Sequence, residues 1–237
     1  MRKTLLIAAA SLLIAATVKA QKEKNETIEG NGKMVTKDIP VSSFESLKAS
    51  GVYELKLSQG NSESVKIEAD ENLQQYFNVR NEGRQLVIDM KELKNKNMKL
   101  KNKMRVYVTF KNLKEMDLSM VGNVEGDSPL NFADLNIKNN SVGKVDLALS
   151  ANTFHLKNTG VGEMKLAGKA QNAVVTNTGV GNLEAGSFVV QTMNIDNSGV
   201  GAAEVNAAKA LKVKDSVTGR VKNKGAAPMK KNNRVEI

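Results

Sequence analysis

Catalysis needs reactive side chains at workable spacing, and this chain of 237 residues offers few. It has one histidine, His155, and no cysteine, so no Ser-His-Asp or Cys-His set is marked and no His/Cys cluster has metal spacing. His155 stands between Phe154 and Leu156 in an alternating segment, which predicts an isolated side chain pointing outward. Glycine-rich pentapeptides recur, but no Gly-Lys-Ser/Thr follows them as a phosphate loop requires. The Gly-Gly-x-Gly-x-Asp nonapeptide of calcium-binding coils is missing too. No catalytic residue, metal ligand or cofactor is predicted.

Two groups of charged residues are the candidates that remain. Glu184 and Glu204 stand three places after successive glycines of a repeat, so stacked coils would make them outward neighbours about 4.8 Å apart. Retaining glycosidases place their two carboxyl groups about 5 Å apart, which admits a polysaccharide-active β-helix enzyme as an alternative. Adjacent coils bring any two outward residues to that distance, so the spacing alone is weak. The second group is Lys91 to Lys103, six lysines in thirteen residues, with Lys94, Lys96, Lys99, Lys101 and Lys103 as candidate contacts. It reads either as a solvated edge guard or as a patch for polyanions or lipid surfaces. The net charge of +10 suits anionic partners without specifying one. With no Trp and three Tyr, a stacking-type carbohydrate or single-strand nucleic-acid site is disfavoured.

The elements that would position these residues show in an internal repeat. Asn158-Thr159-Gly160-Val161-Gly162, Asn177-Thr178-Gly179-Val180-Gly181 and Asn197-Ser198-Gly199-Val200-Gly201 are three copies. Looser copies end at Gly122, Gly143 and Gly219, so the final glycines fall 21, 19, 19, 20 and 18 residues apart. Between the marks apolar residues alternate with polar ones. Leu135/Ile137, Phe154/Leu156, Ala173/Val175, Met193/Ile195 and Leu211/Val213 precede the corners; Val145/Leu147, Met164/Leu166, Leu183/Ala185 and Ala203/Val205 follow them. Period two means strands with one buried face, and two glycines per turn oppose a helix. Two short strands and two turns in about 19 residues form one coil of a β-solenoid, with coils over 119–224. Asn139, Asn158, Asn177, Asn197 and Asp215 then share one place in successive coils. They read as a structural turn ladder, or alternatively as a binding strip. Gly143, Gly162, Gly181, Gly201 and Gly219 supply positive φ at the corners.

Upstream, Val52–Leu57, Val65–Ile67, Val79, Leu86–Ile88 and Met104–Phe110 read as strands, with turns at Gln59-Gly60-Asn61 and Asn81-Glu82-Gly83. Asp70 to Tyr76 reads as a short helical turn. At the start, Arg2 and Lys3 precede an apolar run of about 14 residues, Thr4 to Thr17, and then Val18-Lys19-Ala20. Charge, apolar run and small-x-small site make a secretory signal peptide over 1–20, and the run is too short for a transmembrane helix. Its removal leaves a polar tail at 21–31, a domain at 32–228 and a polar end at 229–237, frayed or capping the solenoid, with net charge +7 after loss of three basic residues.

Phe44-Glu45-Ser46-Leu47-Lys48-Ala49-Ser50-Gly51-Val52-Tyr53-Glu54-Leu55-Lys56-Leu57-Ser58-Gln59-Gly60 resembles the opening of the bacterial head GIN domain family, labelled as auto-transporter adhesins. Val65 to Leu73, then Gly83-x-x-Leu86-x-Ile88, resemble its next block, and the Gly-Val-Gly coils its later part. The resemblance covers about Gly32 to Pro228. It implies an all-β protein of Bacteroidota envelopes, a domain of unknown function with a right-handed parallel β-helix and no established catalytic residues to carry over. The strand-rich N-terminal part would continue or cap that helix. The expected role is an adhesin-like binding module or scaffold in the cell envelope: periplasmic, outer-membrane-associated or extracellular. A glycan or another envelope component is the expected partner; nucleic acid is not, and no transmembrane segment remains after signal removal.

Overall fold

A computed structural model describes residues 26–90, 96–127 and 129–231. Its C-terminal part is a stack in which nearly every coil is one long strand. β14 (Val145–Asn158), β15 (Met164–Asn177), β16 (Leu183–Asn197) and β17 (Ala203–Asp215) pair in parallel, each on the one before. The expected second turn of each coil is therefore no break in pairing. It is a bend at which the inward phase slips by one residue, between Ala151 and Phe154 in β14 and between Ala170 and Ala173 in β15. Both residues of each slip are buried, so the backbone changes direction while its hydrogen bonds to the neighbouring coils persist. The uneven repeat lengths are absorbed as register shifts ahead of and at this bend: between Lys165 and Ala167 in β15, and between Glu184 and Val189 and between Val190 and Thr192 in β16.

Every apolar pair read from the repeat is buried. Leu135, Phe154, Ala173, Met193 and Leu211 are register partners, and so are Ile137, Leu156, Val175, Ile195 and Val213. Sizes alternate along the stack. Ala173 lies between Phe154 and Met193, and Gly168 is the partner of Phe188. The Phe154 and Phe188 rings then meet edge to face at 5.2 Å, filling space that two small residues leave.

The N-terminal half both continues and caps this stack, in an order that differs from the chain. β3 (Ser46–Val52) and β4 (Glu54–Gln59) belong to the solenoid, under β10 (Glu115–Val121) and β11 (Val124–Gly126). One face of the stack runs β9 (Arg105–Phe110), β4, β11, β14. Another runs β7 (Gln85–Met90), β3, β10, β13 (Asp134–Asn139), β14. β12 (Leu130–Asn131) supplies the middle of the β11–β13 coil. The chain thus leaves after β4, builds the end of the stack, and returns to lay β10 beside β3. Antiparallel strands close that end: β6 (Phe77–Glu82) on β7, and β5 (Ser64–Asp70) on β9 with β2 (Met34–Ile39) outside it. Antiparallel closure ends parallel growth and covers an edge that would otherwise invite pairing. The helical turn read at Asp70 to Tyr76 is a 3-10 turn, Glu71–Tyr76.

The described parts of both polar ends contain strands. β1 (Glu26–Glu29) pairs in parallel with β8 (Lys96–Lys99) as a separate two-stranded ribbon. β18 (Val221–Asn223) and β19 (Met229–Lys231) form the last coil on β17.

Tyr53, at the corner between β3 and β4, makes a testable contribution. Its hydroxyl donates to the Ile88 carbonyl at 3.2 Å. Burial pushes its pKa well up, the nearby Asp89 charge adds to that, and a backbone hydrogen bond with Ser50 opposes it. A phenol kept neutral in the fold but free to ionise when unfolded leaves stability intact below about pH 10 and drains it above. At about pH 11 the loss amounts to roughly 1.4 kcal/mol. Denaturant midpoints measured from pH 9 to 11 should therefore fall more for the wild type than for Tyr53→Phe; parallel curves would refute this.

Candidate binding surface

The corners carry the most conspicuous motif of the chain. Asn139, Asn158, Asn177, Asn197 and Asp215 are consecutive register partners there. Asn139 Nδ2 donates to Asn158 Oδ1 at 2.7 Å, Asn158 Nδ2 to Asn177 Oδ1 at 2.7 Å, and Asn177 Nδ2 to Asn197 Oδ1 at 2.6 Å. The four asparagines are buried. Each amide both donates and accepts in series, which a carboxylate cannot do. Asp215 accordingly stands at the end of the row: Asn197 Nδ2 turns to the Gly201 carbonyl, and Asp215 pairs with Lys231 at 2.9 Å. With side chains turned inward and occupied by one another, the row offers a ligand nothing.

The glycines are needed for two separate reasons. Gly143, Gly162, Gly181 and Gly201 have φ between +129° and +143°. Gly219 does not share that conformation: its corner closes on Ser216, whose carbonyl and Oγ both accept the Gly219 N–H. Close stacking is the second reason. A Cβ on Gly162, Gly181 or Gly201 would press on the carbonyl of the glycine one coil below, well inside the 3.0 Å that real Cβ atoms keep.

Of the charged candidates, Glu184, Lys99, Lys101 and Lys103 are exposed and Glu204 is half-buried. Glu184 and Glu204 are register partners, in a row that continues to Lys165 on one side and Lys222 on the other. Glu204 is held by Lys224 at 2.6 Å. In the basic segment, Lys94 lies outside the described residues and Lys96 opens β8. Lys99 and Lys101 both reach Glu29, at 3.2 and 3.5 Å, and Lys103 reaches Glu54 at 2.7 Å. The lysine hydrogen bonds and charges lower the pKa of Glu29 and Glu54. Three of the five lysines thus have acidic partners from other parts of the chain, which cuts the local excess of positive charge. His155 is exposed between Asn136 and Val174 of the adjoining coils.

A cleft of about 640 Å³ lies over the bend in the middle of the long strands. Its walls are columns running along the solenoid axis. One column is Asn131, Ser150, Lys169 and Val189, in register from coil to coil. The other is Asn152, Gln171 and Gln191, flanked on both sides by register pairs. Between them Ala151 and Ala170 are buried and short, and beside Lys169 on its other flank Gly168 adds no side chain, which leaves the space open. Gly168 has φ +105°, and a Cβ there would collide with the Leu149 carbonyl. Phe132, its ring stacked on Phe110 at 5.7 Å, closes one end with Pro129.

Hydrogen bonding in the cleft is the reverse of that in the corner ladder. Ser150 Oγ donates to Asn131 Oδ1 at 2.7 Å. The side chains of Asn152, Gln171, Gln191 and Lys169 have no protein partner among the described residues, and no carboxylate lines the space. The column has a signal in the sequence: its amides recur at the same 19- and 20-residue intervals as the ladder asparagines. No glycine motif marks it, so the period alone would have to reveal it.

A profile of the family described as "Putative auto-transporter adhesin, head GIN domain" matches residues 43–227. The chain belongs to this family. Several solved structures share the fold of this head GIN domain. An adhesin-described protein from Bacteroides fragilis NCTC 9343 is 26% identical with a TM-score of 0.73, over 86% of this chain and 100% of that one. Another from Parabacteroides merdae ATCC 43184 is 26% identical with a TM-score of 0.64, over 88% and 95%. A Parabacteroides distasonis ATCC 8503 structure described as a "putative lipid binding protein" shares the fold at a TM-score of 0.67 and 20% identity, over 88% and 96%. No curated protein shows significant sequence similarity. Among the described residues no helix is long and apolar enough to cross a membrane.

Proposed function

We propose that this head GIN domain is an exported, non-catalytic protein of the cell envelope that acts as an adhesin-like binding module, and that it binds through the cleft at the bend. The observation that carries this reading is the column of unpartnered amides beside Lys169, in a hollow built on a rigid stack. Sites on regular elements hold their side chains at set spacing, so that binding orders side chains but not backbone. Family membership supports the adhesin-like role, and the basic-apolar N-terminus supports export.

Two other readings have less support. A polysaccharide-active enzyme using Glu184 and Glu204 needs a substrate groove at that pair, and neither residue lines the cleft. A polyanion or lipid-surface binder acting through Lys91 to Lys103 needs free cations, and Lys99, Lys101 and Lys103 are engaged.

Ser150→Trp places a large ring in the cleft from a half-buried outward position. Labelled protein (residues 21–237) should be retained saturably on intact bacterial and host-cell surfaces, and the variant at least tenfold less. Equal retention of the two rejects the cleft; release of new reducing ends from any retained glycan rejects the non-catalytic role.

A further inference from the structure

We infer that the ligand of the cleft is a linear polysaccharide carrying carboxylate groups, of the uronate-containing class, lying along the solenoid axis. This rests on the cleft being the binding surface, and it names what the lining selects.

Amide side chains both donate and accept, and so do sugar hydroxyls. Asn152, Gln171 and Gln191 present such groups once per coil, about 4.8 Å apart, with no competing protein partner among the described residues. A chain with hydroxyls along its whole length can satisfy such a column. An acyl chain cannot, because covering the free amides without replacing their hydrogen bonds with water costs about 1–3 kcal/mol per group. A peptide strand would add to a sheet edge through backbone groups. The cleft runs across the strands, over backbone already paired coil to coil. Nucleic acid needs a track of cations, and the lining holds one.

Lys169 supplies the acidic preference. It is exposed, makes no ion pair among the described residues, and faces a cleft lined by no carboxylate. A neutral ligand would partly desolvate that ammonium without compensation, whereas a carboxylate supplies a charge-assisted partner. Specificity of this kind uses hydrogen bonds and charge, which suits a chain with no Trp and three Tyr.

Calorimetry with the mature chain should use galacturonate, alginate and hyaluronan oligosaccharides, with neutral linear gluco- and xylo-oligosaccharides beside them. The acidic oligosaccharides should bind and the neutral ones bind at least tenfold more weakly. Gln171→Ala with Gln191→Ala should weaken acidic binding by at least tenfold. Lys169→Gln should remove the acidic preference while leaving the melting temperature within a degree. Acidic binding that survives both variants overturns the inference, as does no binding of any acidic oligosaccharide at millimolar concentration. If that failure coexists with Ser150→Trp-sensitive surface retention, the cleft stands as the binding surface and only the glycan class is wrong. If retention is insensitive as well, both readings fall together.

Discussion

Gly181→Ala is expected to abolish the folded stack, and Gly179→Ala to do nearly the same for a different reason. Gly181 combines φ +129° with a Cβ position that collides with the Gly162 carbonyl. Holding a non-glycine residue in such a conformation costs about 1–3 kcal/mol. The collision adds more, because the obstacle is backbone of the coil below and can yield only if the two coils separate. Together they exceed about 4 kcal/mol, a large share of the roughly 5–15 kcal/mol that holds a domain together. Gly179 has no positive φ, yet its Cβ would meet the Gly160 carbonyl just as closely. Gly83 provides the contrast, with φ +59° and nothing within 4 Å. Gly83→Ala should cost only about 1 kcal/mol, the strain of its conformation alone. Soluble yield and urea midpoints of the three variants separate conformation from close approach. A folded Gly179→Ala protein within about 1 kcal/mol of wild type would mean the coils can part, and would remove the stacking account.

Asn177→Ala is expected to lower the unfolding free energy by about 2–6 kcal/mol. Asn177 accepts from Asn158 and donates to Asn197. Truncation strands the Asn158 amide donor on one side and the Asn197 amide oxygen on the other, each at about 1–3 kcal/mol with the lost hydrogen bond included. Water cannot readily repair the loss, since Asn158 is 7% exposed and Asn197 not at all. Thr178→Ala, the next residue and an exposed one, should change stability by less than about 0.5 kcal/mol. Asn177→Asp should be at least as damaging as alanine, because a carboxylate can accept from Asn158 but cannot donate to Asn197. Asn177→Ala within about 0.5 kcal/mol of wild type in urea unfolding would show that the ladder accompanies the stack without stabilising it.

The residues behind these predictions differ in how legible they are in the sequence. The repeat alone places Asn177 and Gly181 in their rows, since a solenoid turns local periodicity into register. The cleft residues share that period but carry no conspicuous motif. Their meaning depends on a bend that, in the sequence, looks like a second turn between two strands. Whether a phase slip ends a strand or only bends it is decided by the neighbouring coils, which keep β14 and β15 paired through it. Lys99, Lys101 and Lys103 show the same limit. As a run they look like a free basic patch, but Glu29 and Glu54, distant in the chain, pair with them and offset part of their charge.

By itself the sequence determined the all-β class, the parallel coils, the inward faces and the rows of asparagine and glycine. Each of these follows from residues within one or two repeats of each other, where periodicity and side-chain size act locally. Only the tertiary structure decided that β3 and β4 lie in the stack ahead of β10, that β5 and β6 close its end antiparallel, and that a hollow opens over the bend. Those outcomes depend on pairing between strands tens of residues apart. The free energy of such pairing comes from burying whole faces together, which no local spacing records.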